Sequence, residues 1–289
     1  MQANDLPQIN GLAGSTVLLR LKRSMFQPYA HDAAQTSKVE AETGVRKAGR
    51  FNKRLLLDCH ELSEANSAYN DVYQYVTRNT VPWLDDGVRW MPAARYMEVS
   101  QGIGELVRAA KNKVETLASR WDLIVAKDMQ RLGPLANPSD YPIDIRACYQ
   151  IAVRWLPVPS SADFRVSISD EDKASLNDAI EDAKKQASKY LIAQMLEPIK
   201  KAVEKLSIPI GEEGSIFRDT LLTNITEVLD RAQSLNFLND PTVNTMIADT
   251  RKAVGAYAVV PDMLREDTAL RSDAQSKLDA IMAKMAGLY

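Results

Sequence analysis

From residue 170 almost to the end, apolar side chains recur at helical spacing, and this long stretch most limits what the chain can fold into. A helix with one apolar face has to bury it against another layer. Ser169 precedes three acids, Asp170, Glu171 and Asp172, which is the pattern of an N-cap followed by a first turn that favours negative charge. Pro198, Pro209 and Gly214 divide the stretch, and Asp240-Pro241 and Pro261-Asp262 mark two later helix starts. In residues 264–288, Leu270, Leu278, Ile281, Met282 and Met285 align roughly on one face. Packing against the chain's own core is the first reading of that face, and a homo-oligomer contact is its rival.

The N-terminal part reads differently. Residues 1–14 are polar, with Pro7, Gly11 and Gly14, and suggest a loose leader. In residues 16–26, Val17, Leu19, Leu21 and Met25 alternate with a face that carries Arg20, Lys22 and Phe26. Period two predicts a half-buried strand with Phe26 exposed. Residues 44–57 are ambiguous between helix and strand, and two glycines with Phe51 favour a strand or hairpin arm. Helices are expected over 58–80, over 93–132 up to Gly133-Pro134, and over 143–156, with a loop at 81–92 and a short strand at 163–169. The expected fold is α+β and mostly helical: a small antiparallel sheet of about three strands (16–26, 45–56 and 164–169) packed with long helices. Residues 1–169 form a basic α+β part and 170–289 an acidic helical part.

Charge follows that division. The chain's net charge of −2 hides nine Lys/Arg against four acids in residues 1–57, and fifteen against twenty in residues 170–289. Such asymmetry suggests a polyanionic partner for the first end and solvent for the second. No run approaches 18 apolar residues, so no membrane span is expected. Residues 1–15 lack a basic start followed by an apolar stretch, so no secretory signal is expected, and two distant cysteines, Cys59 and Cys148, suit a reducing cytoplasm.

Chemistry-bearing motifs are scarce. The two histidines, His31 and His60, do not form a metal set with Cys59. Gly102-Ile103-Gly104 lacks the third glycine of a dinucleotide loop, and there is neither a P-loop nor a nucleophile elbow. Asp85-Asp86 is a possible cation ligand pair that more often is simply solvated. The expectation is a non-enzymatic protein without a cofactor.

The sharper signal is Arg46, Lys47, Arg50, Lys53 and Arg54, five cations in nine residues with no acid among them. Arg46, Arg50 and Arg54 are spaced by four, which shares a face in either a helix or a strand. Like charges repel, so the row is easier to tolerate beside an anion. With Phe26 and Phe51 nearby, it supplies the two ingredients of single-strand binding, cations for phosphates and aromatic faces for bases. A solvated face neutralised by Glu40, Glu42 or the acidic tail is the alternative. A second aromatic-basic set holds Trp83, Arg89, Trp90, Arg95 and Tyr96; tryptophans near prolines more often fill a core, yet Trp90 and Arg95 stay candidates for DNA contact.

Three segments, PWLDDGVRWMPAARYMEV (82–99), DYP (140–142) and PVPSSADFRVSIS (157–169), together resemble a family of phage-encoded helical proteins known as a domain of unknown function. The resemblance covers residues 15–200. It implies a bacteriophage origin and a genomic neighbourhood with AAA+ ATPases of the MoxR type, and it assigns no catalytic residues. Within that group the chain is similar to the single-stranded-DNA-binding cofactors of phage RNA polymerase. That likeness implies a transcription role beside phage RNA polymerase in the cytoplasm of the bacterial host. The rival expectation is an interaction module for a phage AAA+ ATPase or a virion component.

Overall fold

The computed structural model describes residues 12, 14–84, 87–159, 169–213, 215, 218, 220–258 and 262–288. Residues 1–11 and 13 of the leader, Asp85-Asp86, and residues 163–168 of the strand expected over 163–169 lie outside them. The protein is α+β and mostly helical, with a four-stranded antiparallel sheet and a separate two-stranded one. Its residues divide into two compact units that cut across a boundary at 169/170. One comprises Met1–Arg20, Thr77–Met97 and Arg154–Tyr289, the other Leu21–Val76 and Glu98–Val153. The acidic helices thus share a unit with N-terminal strands, because their apolar faces and the sheet bury each other.

In the first unit, β4 (Val81–Pro82) and β5 (Val88–Pro92) form an antiparallel hairpin where the sequence suggested a loop. The alternation of Val81 and Trp83 with Val88 and Trp90 toward the core explains it, and Gly87 accepts the positive φ of 78° that the turn requires. β5 pairs with β1 (Thr16–Ser24) from Thr16↔Pro92 to Arg20↔Val88, and β6 (Gln150–Pro157) follows β1 in the sheet. Residues 143–156 are therefore not a helix: Ile151, Val153 and Trp155 alternate with more exposed Gln150, Ala152 and Arg154, a period of two.

The helical layer is α5 (Asp170–Leu206), α6 (Thr220–Leu235), α7 (Pro241–Ala258), α8 (Met263–Glu266) and α9 (Thr268–Ala286). α5 packs against α6, α7, α9 and β4. Ser169 caps α5 by accepting the Asp172 N–H, and Asp240 caps α7 by accepting those of Thr242 and Val243. Pro198 does not divide the stretch but sits inside α5, where Met195, Ile199, Ala202 and Val203 are all buried. That burial outweighs a penalty of about 3 kcal/mol for an interior proline. The terminal face packs internally, with Leu278, Ile281 and Met285 in the same core as Ile225, Leu229, Trp90 and Leu18.

One buried cation secures this unit. The Arg271 guanidinium is 4% exposed and donates to the carbonyls of Lys205 (2.5 Å), Leu206 (3.0 Å), Ser215 (3.0 Å) and Leu264 (3.3 Å). It satisfies carbonyls at the end of α5 that have no helical partner, at the end where a helix favours positive charge.

The second unit holds β2 (Tyr29–His31), α1 (Ala33–Thr43), β3 (Asn52–Arg54), most of α2 (His60–Asn79) and α3 (Tyr96–Ser119), and α4 (Trp121–Leu132). The single helix expected over 93–132 breaks at Arg120, whose φ and ψ are −113° and 7°. The break carries the Trp121 indole N–H to the Pro142 carbonyl at 2.9 Å and its ring to the edges of Phe26 and Tyr141. Gly102 of α3 lies directly against the Tyr75 phenol of α2, so a methyl group there would overlap the ring.

Two substitutions check these packing claims by urea unfolding. Arg271→Met is expected to cost about 2–4 kcal/mol, since two buried and two partly buried carbonyls lose this donor. Gly102→Ala is expected to destabilise by about 1–3 kcal/mol, against the gain of roughly 1 kcal/mol usual in a helix, and to become stabilising when Tyr75→Ala is added.

Candidate nucleic-acid interface

Strands β2 and β3 form a short antiparallel ribbon with Tyr29 opposite Arg54, Ala30 opposite Lys53 and His31 opposite Asn52. Backbone bonds from Asp32 N–H to Phe51 O and from Leu55 N–H to Pro28 O, both 2.9 Å, close its ends. Side chains alternate across a strand, so Ala30 and Lys53 point inward while Tyr29, His31, Asn52 and Arg54 point out. The strand expected over 45–56 shrinks to Asn52–Arg54 because Gly44, at φ 71°, ends α1 and begins a turn. α1 itself, between its cap Asp32 and Gly44, is with β2 an element that the sequence reading passed over.

Lys53 separates from the rest of its row. It is 5% exposed, and its ammonium lies 2.6 Å from Asp140, 3.4 Å from Asp32 and 3.0 Å from the Leu135 carbonyl. The hydrogen bond to Asp140 raises its pKa, against the opposing effect of burial. Asp32 also accepts the Gln35 N–H, which holds its carboxyl below the usual range. Lys53 is thus a clamp and not a phosphate contact. Beside it, Asp128 is 5% exposed and accepts from Leu56 N–H (2.8 Å), Tyr141 Oη (2.6 Å) and Arg131 Nε (2.8 Å). Burial disfavours its charge, but these donors win and its pKa falls. Arg131 also donates to the Arg54 carbonyl at 2.8 Å, so the strand is held from both sides.

The remaining cations of the row, Arg46, Lys47, Arg50 and Arg54, are exposed and have no carboxylate partner among the described residues. Elsewhere in this unit Lys113 pairs with Glu64, Arg120 with Glu61, and Arg146 with Glu115 and Asp144. The turn that carries the free cations is shaped by α1. Glu40 accepts the Lys47 N–H at 2.7 Å, and Thr36 accepts the Phe51 N–H at 3.0 Å. Phe51 is 39% exposed and Tyr29 60% exposed.

The other expected contacts fall elsewhere. Phe26 is buried edge-on to Trp121, 5.9 Å between centroids, and offers no face to a base. Trp90 is fully buried between Trp83 and Phe237. Arg95 is half-buried and donates to Asn79 at 2.8 Å. Arg20 and Lys22 are exposed on β1, in a different sheet from β3. Tyr29 is the aromatic that sequence reasoning missed; a three-residue strand is too short for its alternation to register, although Asp32 and Gly44 bracket the next helix with start and stop signals. His31 and His60 are exposed, and Cys59 and Cys148 are unbridged thiols whose pKa values burial raises. Comparison with protein-family models, curated proteins and solved structures finds no match to this chain.

Lys53→Met leaves Asp32 and Asp140 without their cation, and unfolding should show a loss of about 3–5 kcal/mol. Asp128 stabilises the fold above its unfolded value of 3.8, and that contribution is lost as pH falls from there toward its lower folded value. Asp128→Asn should therefore lower stability at neutral pH and flatten the acid limb of a stability–pH curve.

Proposed function

We propose that this chain is a non-enzymatic single-stranded-DNA-binding protein, and that the β2–β3 ribbon with the 44–51 turn is its DNA face. One observation carries the reading: Arg46, Lys47, Arg50 and Arg54 are exposed without carboxylate partners among the described residues, beside two exposed aromatic rings, Tyr29 and Phe51. Cations meet phosphates, and rings stack on bases that a single strand leaves open. A duplex keeps its bases paired and offers those rings nothing, so the single strand is the better fit. The resemblance described above adds the biological setting, a phage protein that helps phage RNA polymerase engage melted DNA.

The rival, a module for a phage AAA+ ATPase or a virion component, draws on Val39 and Val45, apolar residues each about half exposed next to the row. Fluorescence anisotropy with a labelled oligonucleotide separates the two. Four phosphate contacts at about −0.7 each give a log–log salt slope near −3, so affinity should drop about fifty-fold between 50 and 200 mM salt. Arg46, Arg50 and Arg54 changed together to alanine should cut affinity at least tenfold at low salt and leave the helical circular dichroism unchanged. No binding in dilute buffer, or full affinity in the triple variant, would remove the ribbon from consideration.

A further inference from the structure

An open groove of about 460 Å³ lies between α1 and the turn that follows it. Val39, Val45, Ala48 and Phe51 supply its apolar walls, and Glu40 and Arg50 also line it. α1 buries none of its residues, and Val39 and Val45 remain 50% and 53% exposed. The groove is therefore an apolar surface awaiting a partner, bordered by the unpaired cations Arg46, Lys47 and Arg50.

We propose, building on the DNA reading above, that this groove takes one unstacked nucleobase of the bound strand, and that Glu40 selects a base with an exocyclic amine, cytosine over thymine. The charge pattern chooses the occupant. A nucleotide is apolar on both faces of its base and anionic at its phosphate, which matches apolar walls beside free cations. Glu40 uses one oxygen for the Lys47 N–H and forms no ion pair among the described residues, so its second oxygen is open to a donor. Cytosine offers its N4 amine, and carboxylates accept from that group; thymine presents the O4 acceptor in the same place and is repelled. An acidic peptide, the other occupant that a cationic border invites, would set its own carboxylates against Glu40.

The test is anisotropy with the full-length protein and labelled oligo-dC and oligo-dT of equal length at 50 mM salt, with and without Glu40→Gln. Oligo-dC should bind about tenfold tighter than oligo-dT, the scale of one hydrogen bond to a charged acceptor. Glu40→Gln keeps an oxygen for the Lys47 N–H but puts an amide donor where the second oxygen stood, which faces the cytosine N4 amine badly and the thymine O4 well, so the preference for oligo-dC should vanish or reverse, with the circular dichroism unchanged. Equal affinities in the unaltered protein overturn the groove assignment and leave the DNA face intact. A tenfold preference that survives Glu40→Gln also overturns it, by placing selection elsewhere. Failure of both oligonucleotides to bind overturns the DNA reading and this one together.

Discussion

The buried ammonium of Lys53 is the interaction on which the exposed face depends. Removing a lysine from water is costly unless opposite charge and hydrogen bonds replace the lost hydration. Here Asp140, Asp32 and the Leu135 carbonyl do so, and they come from two segments of one unit far apart in sequence, residue 32 and the stretch 135–140. A strand alternates, so turning Lys53 inward turns Asn52 and Arg54 outward. Register then places Tyr29 across from Arg54. The Asp128 network fixes the chain beyond the strand, at Leu56 and the Arg54 carbonyl. A flexible loop of cations would lose conformational entropy on meeting a ligand; this one is set in place before the ligand arrives.

Both units pair charges on their surfaces, as Lys113 with Glu64 and Arg146 with Glu115 do in the second, and the turn after α1 departs from this. Along the helices of the first unit, cations and acids pair with near neighbours: Lys173 with Asp170, Lys184 with Glu181, Lys185 with Asp182, Lys201 with Glu197 and Lys277 with Asp273. Exposed pairs of this kind contribute little stability, but each cation's charge is largely offset by its partner. Among the described residues its buried guanidinium, that of Arg271, is spent on backbone carbonyls. The turn after α1 lacks such compensation, and the field there is open to solvent.

Much of this was legible in the chain's letters, for reasons that also explain what was not. Long helices with periodic apolar residues or capping signals announce themselves, which is why α2 falls close to the expected 58–80 and α5 and α7 close to where Ser169 and Asp240 place them. The mostly helical α+β class follows from the same periodicity. β4 and β5 carry too few residues for a period of two to stand out, and so were read as a loop, whereas β6, eight residues long, was read as a helix although Ile151, Val153 and Trp155 alternate with more exposed neighbours. The cation row was visible, but its members read alike; only tertiary partners distinguish buried Lys53 from exposed Arg54. Phe26 sat on the polar side of an alternating strand, yet the chain leaves β1 at Ser24, which frees the ring to turn toward Trp121. Trp90 follows the commoner fate of tryptophan near proline, as a core residue.

The most direct measurement is photo-cross-linking of the protein to a single-stranded oligonucleotide at low salt, followed by peptide mapping of the adducts. If the ribbon is the DNA face, adducts concentrate on the peptides that carry Tyr29 and Phe51 and disappear as salt rises. Adducts confined to other peptides, such as the one holding Tyr96, or a protein that forms none at low salt, would contradict it.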